Sequence, residues 1–270
     1  MNRIDALYQR VRSTRGFALN VYLCAGNPSL EATLPLVLEA ERRGADAIEL
    51  GVPFSDPVAD GPDLQPAHAR GVAAGVTLGD VLGLVRRLRQ RSQIPIALMS
   101  YYNPIHHRGP ARLVADAAAA GVDGLIVPDL PPEEADELVA AARGHDVKTI
   151  FFIAPTSTPE RVALVNRAAT GFIYCISLTG VTGARAQLPR ELADQLRALR
   201  GATDKPLVVG FGVSTPEHVR AMAEVADGCI VGSAVARVIE SALTRPLDEL
   251  LRVVGDCIEP LAQAAHANRA

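Results

Sequence analysis

The sequence predicts an α/β fold, a single-domain (β/α)8 TIM barrel with an extra N-terminal helix. Three observations support this prediction. Short apolar runs alternate with runs of helical period, the apolar runs number eight, and no linker or charge block divides the 270 residues. Strict alternation favours a parallel sheet. Eight strands in a chain of this length favour a closed barrel over a doubly wound sheet, so 1–270 is treated as one domain.

The strands and the first helix follow from hydrophobic periodicity. Ile4, Leu7, Tyr8 and Val11 recur at helical spacing and predict an amphipathic helix at the start of the chain. The apolar runs that are too short for helices predict strands at 18–24, 47–51, 96–100, 124–128, 149–154, 172–177, 207–210 and 229–231.

Helices are predicted between these strands. Thr158-Pro159 and Thr215-Pro216 each have an N-cap residue followed by proline at the first helical position, which predicts a helix start. Runs of helical period predict further helices at 31–43, 78–90, 111–120, 133–142 and 189–199. A last helix near 250–262 is expected to pack outside the barrel.

Composition excludes several functional classes. The net charge of −3 and the absence of a basic stripe argue against nucleic acid as a partner. No apolar run approaches the roughly 18 residues of a membrane span. Cys24, Cys175 and Cys229 lie in strand-like apolar runs, and no cysteine forms a CxxC pair, so small buried side chains in a reducing environment are expected. With no signal-peptide pattern at the start, the protein is expected to be cytoplasmic.

The second strand and the loop after it concentrate carboxylates: Glu49, Asp56, Asp60 and Asp63. A barrel places its chemistry at the carboxyl ends of its strands. Because strand side chains alternate, Glu49 shares a face with Ala47 and is expected inside the barrel. Burial there would raise the pKa of Glu49, which suits a proton donor and acceptor near neutral pH. The alternative is a solvated acidic loop beside a capping glutamate.

Glycine-rich turns follow the last strands, at 180–183, at 210–212 and at Gly232-Ser233. In barrels this region frequently binds phosphate through backbone N–H groups and a helix N-terminus. Ordinary tight turns are the alternative. Nucleotide binding is disfavoured, because the chain has neither a GxxxxGK[ST] motif nor a strand-linked GxGxxG motif.

Other chemistry finds little support. The six histidines show no metal-ligand spacing, so no metal site is assigned, and solvated positions are expected for most of them. No GxSxG motif indicates a hydrolase. Tyr22, Tyr101 and Tyr174 lie in or just after strands, where they either pack in the core or line the mouth of a pocket for a flat apolar substrate.

Over nearly its whole length the sequence resembles the tryptophan synthase α subunit family. The stretch IELGVPFSDPVADGP at 48–62 matches the signature of that family residue for residue. The family pattern also recurs in MSYYNPI at 99–105, DGLIVPDLPPEE at 123–134, SLTGVTG at 177–183, and the VGFGVS and VGSAV turns.

The resemblance implies retro-aldol cleavage of indole-3-glycerol phosphate to indole and D-glyceraldehyde 3-phosphate in L-tryptophan biosynthesis. Glu49 occupies the general acid/base position of the family, and Asp60 the position that accepts a hydrogen bond from the indole N–H. The remaining positions carried over bind phosphate (Gly183, Gly212, Gly232, Ser233), line the indole pocket (Tyr22, Tyr174) or close over Asp60 (Thr182).

The family passes indole to a pyridoxal-phosphate β subunit in an α2β2 tetramer, and the α subunit itself uses no metal or organic cofactor. By resemblance, Pro53, Asp56 and Asn103, with the rest of the 101–104 region, would face this partner. One departure is Asn27, where the family usually has aspartate, so a charge is lost in the loop after strand one.

Three alternatives to this function stay open on the sequence alone. The chain could be a stand-alone indole-3-glycerol phosphate lyase that releases free indole. It could be a non-catalytic barrel that binds the phosphate ligand and activates the β subunit, although the presence of both Glu49 and Asp60 argues against this. Without the resemblance, a phosphosugar isomerase on the same barrel is a further option.

Overall fold

A computed structural model describes residues 1–176, 190–210 and 212–267. Eight parallel strands close into a barrel in sequence order, each paired with the next and the last with the first. The strands are β1 Ala18–Cys24, β2 Ala47–Gly51, β3 Ile96–Met99, β4 Gly124–Ile126, β5 Lys148–Ile153, β6 Ile173–Ile176, β7 Leu207–Gly210 and β8 Gly228–Val231. The (β/α)8 barrel is therefore confirmed.

Helices surround this barrel. They are α1 Arg3–Ser13, α2 Leu30–Arg42, α3 Gln65–Ala73, α4 Leu78–Leu88, α5 Tyr102–Arg108, α6 Pro110–Ala120, α7 Asp136–Gly144, α8 Pro159–Ala168, α9 Arg190–Ala202, α10 Pro216–Ala223, α11 Ser233–Ser241 and α12 Leu247–His266. Thr158 and Thr215 cap α8 and α10 as predicted, each accepting a backbone N–H three residues on. Within the described ranges, no helix is long and apolar enough to cross a membrane.

The strands separate two cores. Ile48 and Leu50 of β2, with the residues at the matching positions of the other strands, point outward and pack beneath the helices. Ala47, Tyr22 and Ala97 point into the barrel. The predicted N-terminal helix α1 closes the amino-terminal end of this inner core, where its four buried apolar side chains lie. The open end of the barrel is therefore the one at which the strands finish.

Local predictions failed at two places. No helix was predicted between the strand at 96–100 and the helix at 111–120, but α5 begins at Tyr102, and Asp129 accepts the Tyr102 N–H at 2.8 Å. Pro104 is tolerated because it lies in the first turn, where its missing N–H is not needed. The helix predicted at 133–142 begins only at Asp136, after a 3-10 turn at Pro132–Glu134.

Candidate active site

A cavity of about 430 Å³ opens at the carboxyl ends of the strands. Its walls combine aromatic rings, aliphatic side chains, one carboxylate and several glycines: Tyr22, Ala59, Asp60, Leu64, Met99, Pro128, Phe152, Tyr174, Ile176, Gly210, Gly212, Val213, Ile230, Gly232 and Ser233. A volume of a few hundred Å³ suits a small organic ligand.

Glu49 lies inside the barrel, on β2 beside Tyr22 of β1 in register. Its side chain is 1% exposed, and neither carboxyl oxygen has a hydrogen-bond partner among the described residues. Burial raises the pKa of Glu49 to about 8, because the ionised form cannot be solvated there. Near pH 7 the group is therefore mainly the neutral acid, which can donate a proton and then take one back.

Asp60 lies in the loop after β2 and is also buried. Its Oδ2 accepts the Tyr101 O–H at 2.5 Å, and the Tyr101 oxygen in turn accepts the Ala59 N–H at 3.0 Å. Burial, and then the bond to Asp60, hold the pKa of Tyr101 above its usual range. Tyr101 therefore donates to Asp60, and its side chain points into the site rather than outward.

His68 was missed by the sequence analysis, which expected solvated histidines. It is 2% exposed on α3, with Nε2 3.0 Å from the Tyr22 hydroxyl and 3.4 Å from Asp60 Oδ2. Its Nδ1 accepts the Phe54 N–H at 3.2 Å. The available signal was its spacing, because His68 shares the helical face of Ala67 and Gly71, which are also buried.

Tyr22 and Tyr174 line the cavity, and glycines on neighbouring strands leave room for their rings. A methyl group on Gly51 would overlap the Tyr22 ring, and one on Gly210 would overlap the Tyr174 ring. Burial raises the pKa of Tyr174 well above its usual range, and the charges of Glu49 and then Asp60 raise it further. Tyr174 therefore keeps its hydroxyl proton at neutral pH.

Gly212, Gly232 and Ser233 also line the cavity. Gly212 has a φ of 39°, in the left-handed region that favours glycine. Ser233 begins α11, whose N-cap residue Gly232 has no side chain to cap the first N–H groups. These amides can bind an anion. Thr182 and Gly183 lie outside the described residues.

The residues expected to face a partner differ in exposure. Asp56 and Asn103 are exposed, whereas Pro53 is buried and packs where a side chain on Gly71 would lie. Pro53 therefore packs the loop after β2 against α3, and its contact with a partner stays a prediction.

The unusual Asn27 is buried, and its Oδ1 accepts from Arg70 Nη1 at 2.5 Å. Arg70 also pairs with Glu240 at 3.0 Å. The amide thus keeps the loop after β1 bonded to α3 without a carboxylate. Asp63, predicted to be a solvated acid, pairs with Arg237 at 2.5 Å.

The cysteines and the possible metal ligands were also located in the structure. Cys24, Cys175 and Cys229 are free and buried, as predicted, and burial raises the pKa of the Cys24 and Cys175 thiols to about 12. In the described part of the chain, no three His, Cys, Asp or Glu side chains are grouped so that they could hold a metal ion.

Comparison with known proteins relates the chain to one family. The sequence profile described as "Tryptophan synthase alpha chain" matches residues 8–266. A tryptophan synthase alpha chain from a Geobacter species is 48% identical over 263 residues, covering 97% of each chain. The chain superposes on the tryptophan synthase subunit alpha of Legionella pneumophila with a TM-score of 0.91, at 37% identity and 99% coverage of both chains.

A further similar structure comes from a complex. It is a chain of the tryptophan synthase α2β2 complex of Pyrococcus furiosus, with a TM-score of 0.85 and 39% identity. The match covers 91% of the present chain and 98% of that chain.

Proposed function

Because the chain belongs to the tryptophan synthase alpha chain family, we propose that Glu49 and Asp60 perform the cleavage of indole-3-glycerol phosphate in the cavity described above. As a member of this family, the protein is a lyase of tryptophan biosynthesis. The observation that supports the roles most strongly is the Glu49 carboxyl, buried without a hydrogen-bond partner in the described structure, with its pKa raised to about 8. A group in this state is a proton donor at neutral pH.

The reaction begins from the proton that Glu49 holds near pH 7. Neutral Glu49 protonates indole C3, and the carboxylate that results removes the proton from the glycerol hydroxyl next to the scissile bond. The C–C bond then breaks, its electrons return to the indole ring, and glyceraldehyde 3-phosphate leaves as the aldehyde. Glu49 ends protonated, as it began, so one residue supplies both transfers.

Asp60 has the complementary role. Protonation at C3 puts positive charge on the indole nitrogen, and an ionised carboxylate that accepts its N–H stabilises that charge. Oδ2 already accepts the Tyr101 hydroxyl, which leaves Oδ1 for the substrate. Among the described residues Glu49 has no hydrogen-bond partner, whereas Asp60 accepts a bond from Tyr101. Two acids in such different environments can take different roles in one reaction.

The rest of the cavity fits the two ends of this substrate. Tyr22 and Tyr174 give a flat aromatic wall for indole. Gly212, Gly232 and Ser233 supply backbone amides and a helix N-terminus for the phosphate, and we assign Gly183 to the same group. We assign Thr182 to a loop that closes over Asp60.

The family implies a β partner for this chain. We propose an α2β2 tetramer that receives the indole and contacts the exposed Asp56 and Asn103. Asp56 lies four residues before Asp60 in one loop, so partner binding and chemistry would share a segment. We also propose a cytoplasmic location, which the free cysteines support.

The test is release of indole from indole-3-glycerol phosphate by the purified chain, with and without a tryptophan synthase β subunit. We expect release by the chain alone and faster turnover with β. Turnover that no β subunit alters would support the stand-alone lyase. Ligand binding without cleavage, alone or with β, would support the non-catalytic activator.

A further inference from the structure

His68 connects three parts of the site that are separate in the sequence. Its ring lies on α3, its Nδ1 bonds to the Phe54 N–H in the loop after β2, and its Nε2 lies against Tyr22 of β1 and Asp60. The Phe54 ring stacks on Tyr101 with centroids 4.9 Å apart. One connected group of side chains therefore contains Tyr22, Phe54, Asp60, His68 and Tyr101.

The contact with Phe54 determines which nitrogen of His68 carries the proton. A backbone N–H can only donate, so Nδ1 must be the bare, accepting nitrogen. The neutral ring then carries its proton on Nε2. That N–H donates to the Tyr22 oxygen at 3.0 Å, and Asp60 Oδ2 lies 3.4 Å from the same nitrogen.

We propose that His68, in its neutral Nε2–H tautomer, is a positioning residue that fixes Tyr22 and Asp60 for the reaction. The inference rests on the roles proposed above for Glu49 and Asp60. His68 acts through Tyr22 and Asp60, because its ring is buried and is absent from the cavity wall.

The role has two physical parts. The Nε2–H holds the Tyr22 hydroxyl, and with it the ring that forms one wall of the indole pocket. The positive end of the same N–H lies next to the oxygen of Asp60 that already accepts from Tyr101, so it helps to hold the carboxyl group in place. The Phe54 contact keeps the imidazole from flipping.

Two substitutions separate the two ends of the imidazole. In His68→Asn the side-chain oxygen can still accept the Phe54 N–H, but the amide is too short to reach Tyr22. In His68→Gln the longer amide reaches the Nε2 position and can donate to Tyr22, but the Phe54 contact is lost. We expect His68→Asn to lower kcat about tenfold to 100-fold, and His68→Gln to retain most of it.

A merely structural role would not produce this order. Affinity for sn-glycerol 3-phosphate, measured by calorimetry, should change less than about twofold in both variants, because the phosphate site does not involve α3. His145→Asn, at an exposed histidine, is the matched control and should leave kcat unchanged. Equal losses in the two variants, or a larger loss in His68→Gln, would overturn the proposal.

A spectrum of the unmodified protein provides a second test that needs no active variant. In protein labelled with ¹⁵N-histidine at neutral pH, the His68 signals should show a protonated Nε2 and a bare Nδ1. A protonated Nδ1 would contradict the proposal whatever the variants do. Asp60→Asn, assayed in parallel, separates the proposed function from the proposal about His68. Full activity of Asp60→Asn would refute the role of Asp60. Reduced activity of Asp60→Asn together with normal activity of His68→Asn would refute only the role of His68.

Discussion

The buried acid inside the barrel should make the stability of the fold depend on pH. Glu49 has a pKa of about 8 in the native protein and an ordinary value near 4.5 when the chain unfolds. Between these values the native state binds one proton more than the unfolded state, so the free energy of unfolding falls as pH rises. Glu49→Gln cannot titrate and loses this dependence.

The size of the effect follows from the shift in pKa. Each unit corresponds to about 1.4 kcal/mol. Below pH 4.5 both states of the wild type hold the proton, and the effect is absent. By pH 7 the wild type should have lost about 3 kcal/mol relative to Glu49→Gln, and the loss should continue until pH passes about 8.

The measurement is urea unfolding of both proteins from pH 4.5 to pH 8, followed by circular dichroism because the chain has no tryptophan. Glu249→Gln, at an exposed carboxylate on α12, is the control and should shift the free energy of unfolding by less than about 0.5 kcal/mol at every pH. A difference between wild type and Glu49→Gln that stays constant over this range would refute the account of Glu49.

Three further predictions concern the surroundings of the site and the base of the barrel. Tyr101→Phe removes the hydroxyl that donates to Asp60 and should lower kcat about tenfold or more in the indole-release assay; an unchanged kcat would contradict the role of this bond. Gly210→Ala places a methyl group against the Tyr174 ring and should weaken the binding of indole, as measured by calorimetry. An unaltered affinity would contradict the role of the Tyr174 ring position in indole binding. Asp123→Ala leaves the Arg89 side chain, which is 10% exposed, without its carboxylate partner and should lower the free energy of unfolding in urea by about 3–5 kcal/mol; a loss under 1 kcal/mol would contradict the assigned ion pair.

The sequence predicted those features that repeat along the chain. Alternation of apolar runs predicted the strands, and the period of two within β2 predicted that Glu49 points inward, because both patterns are local consequences of backbone geometry. The cap and proline signals at Thr158 and Thr215 predicted helix starts for the same reason.

Contacts between distant residues were not predictable in this way. His68 lies 46 residues from Tyr22 along the chain, and no local pattern shows that α3 turns this face toward β1. The start of α5 likewise depends on Asp129, 27 residues further on, which supplies the acceptor for its first N–H. In both cases the closed barrel creates the environment, and a segment considered alone does not contain it.

The most direct test of the central claim follows the proton itself. Wild-type protein, saturated with sn-glycerol 3-phosphate in D2O, should exchange the C3 hydrogen of indole for deuterium, as observed by proton NMR, because Glu49 delivers and removes a proton at that carbon. Glu49→Gln should still bind both ligands and exchange at least about 10²-fold more slowly. Exchange at the wild-type rate in Glu49→Gln would contradict the assignment of Glu49 as the acid and base of this site.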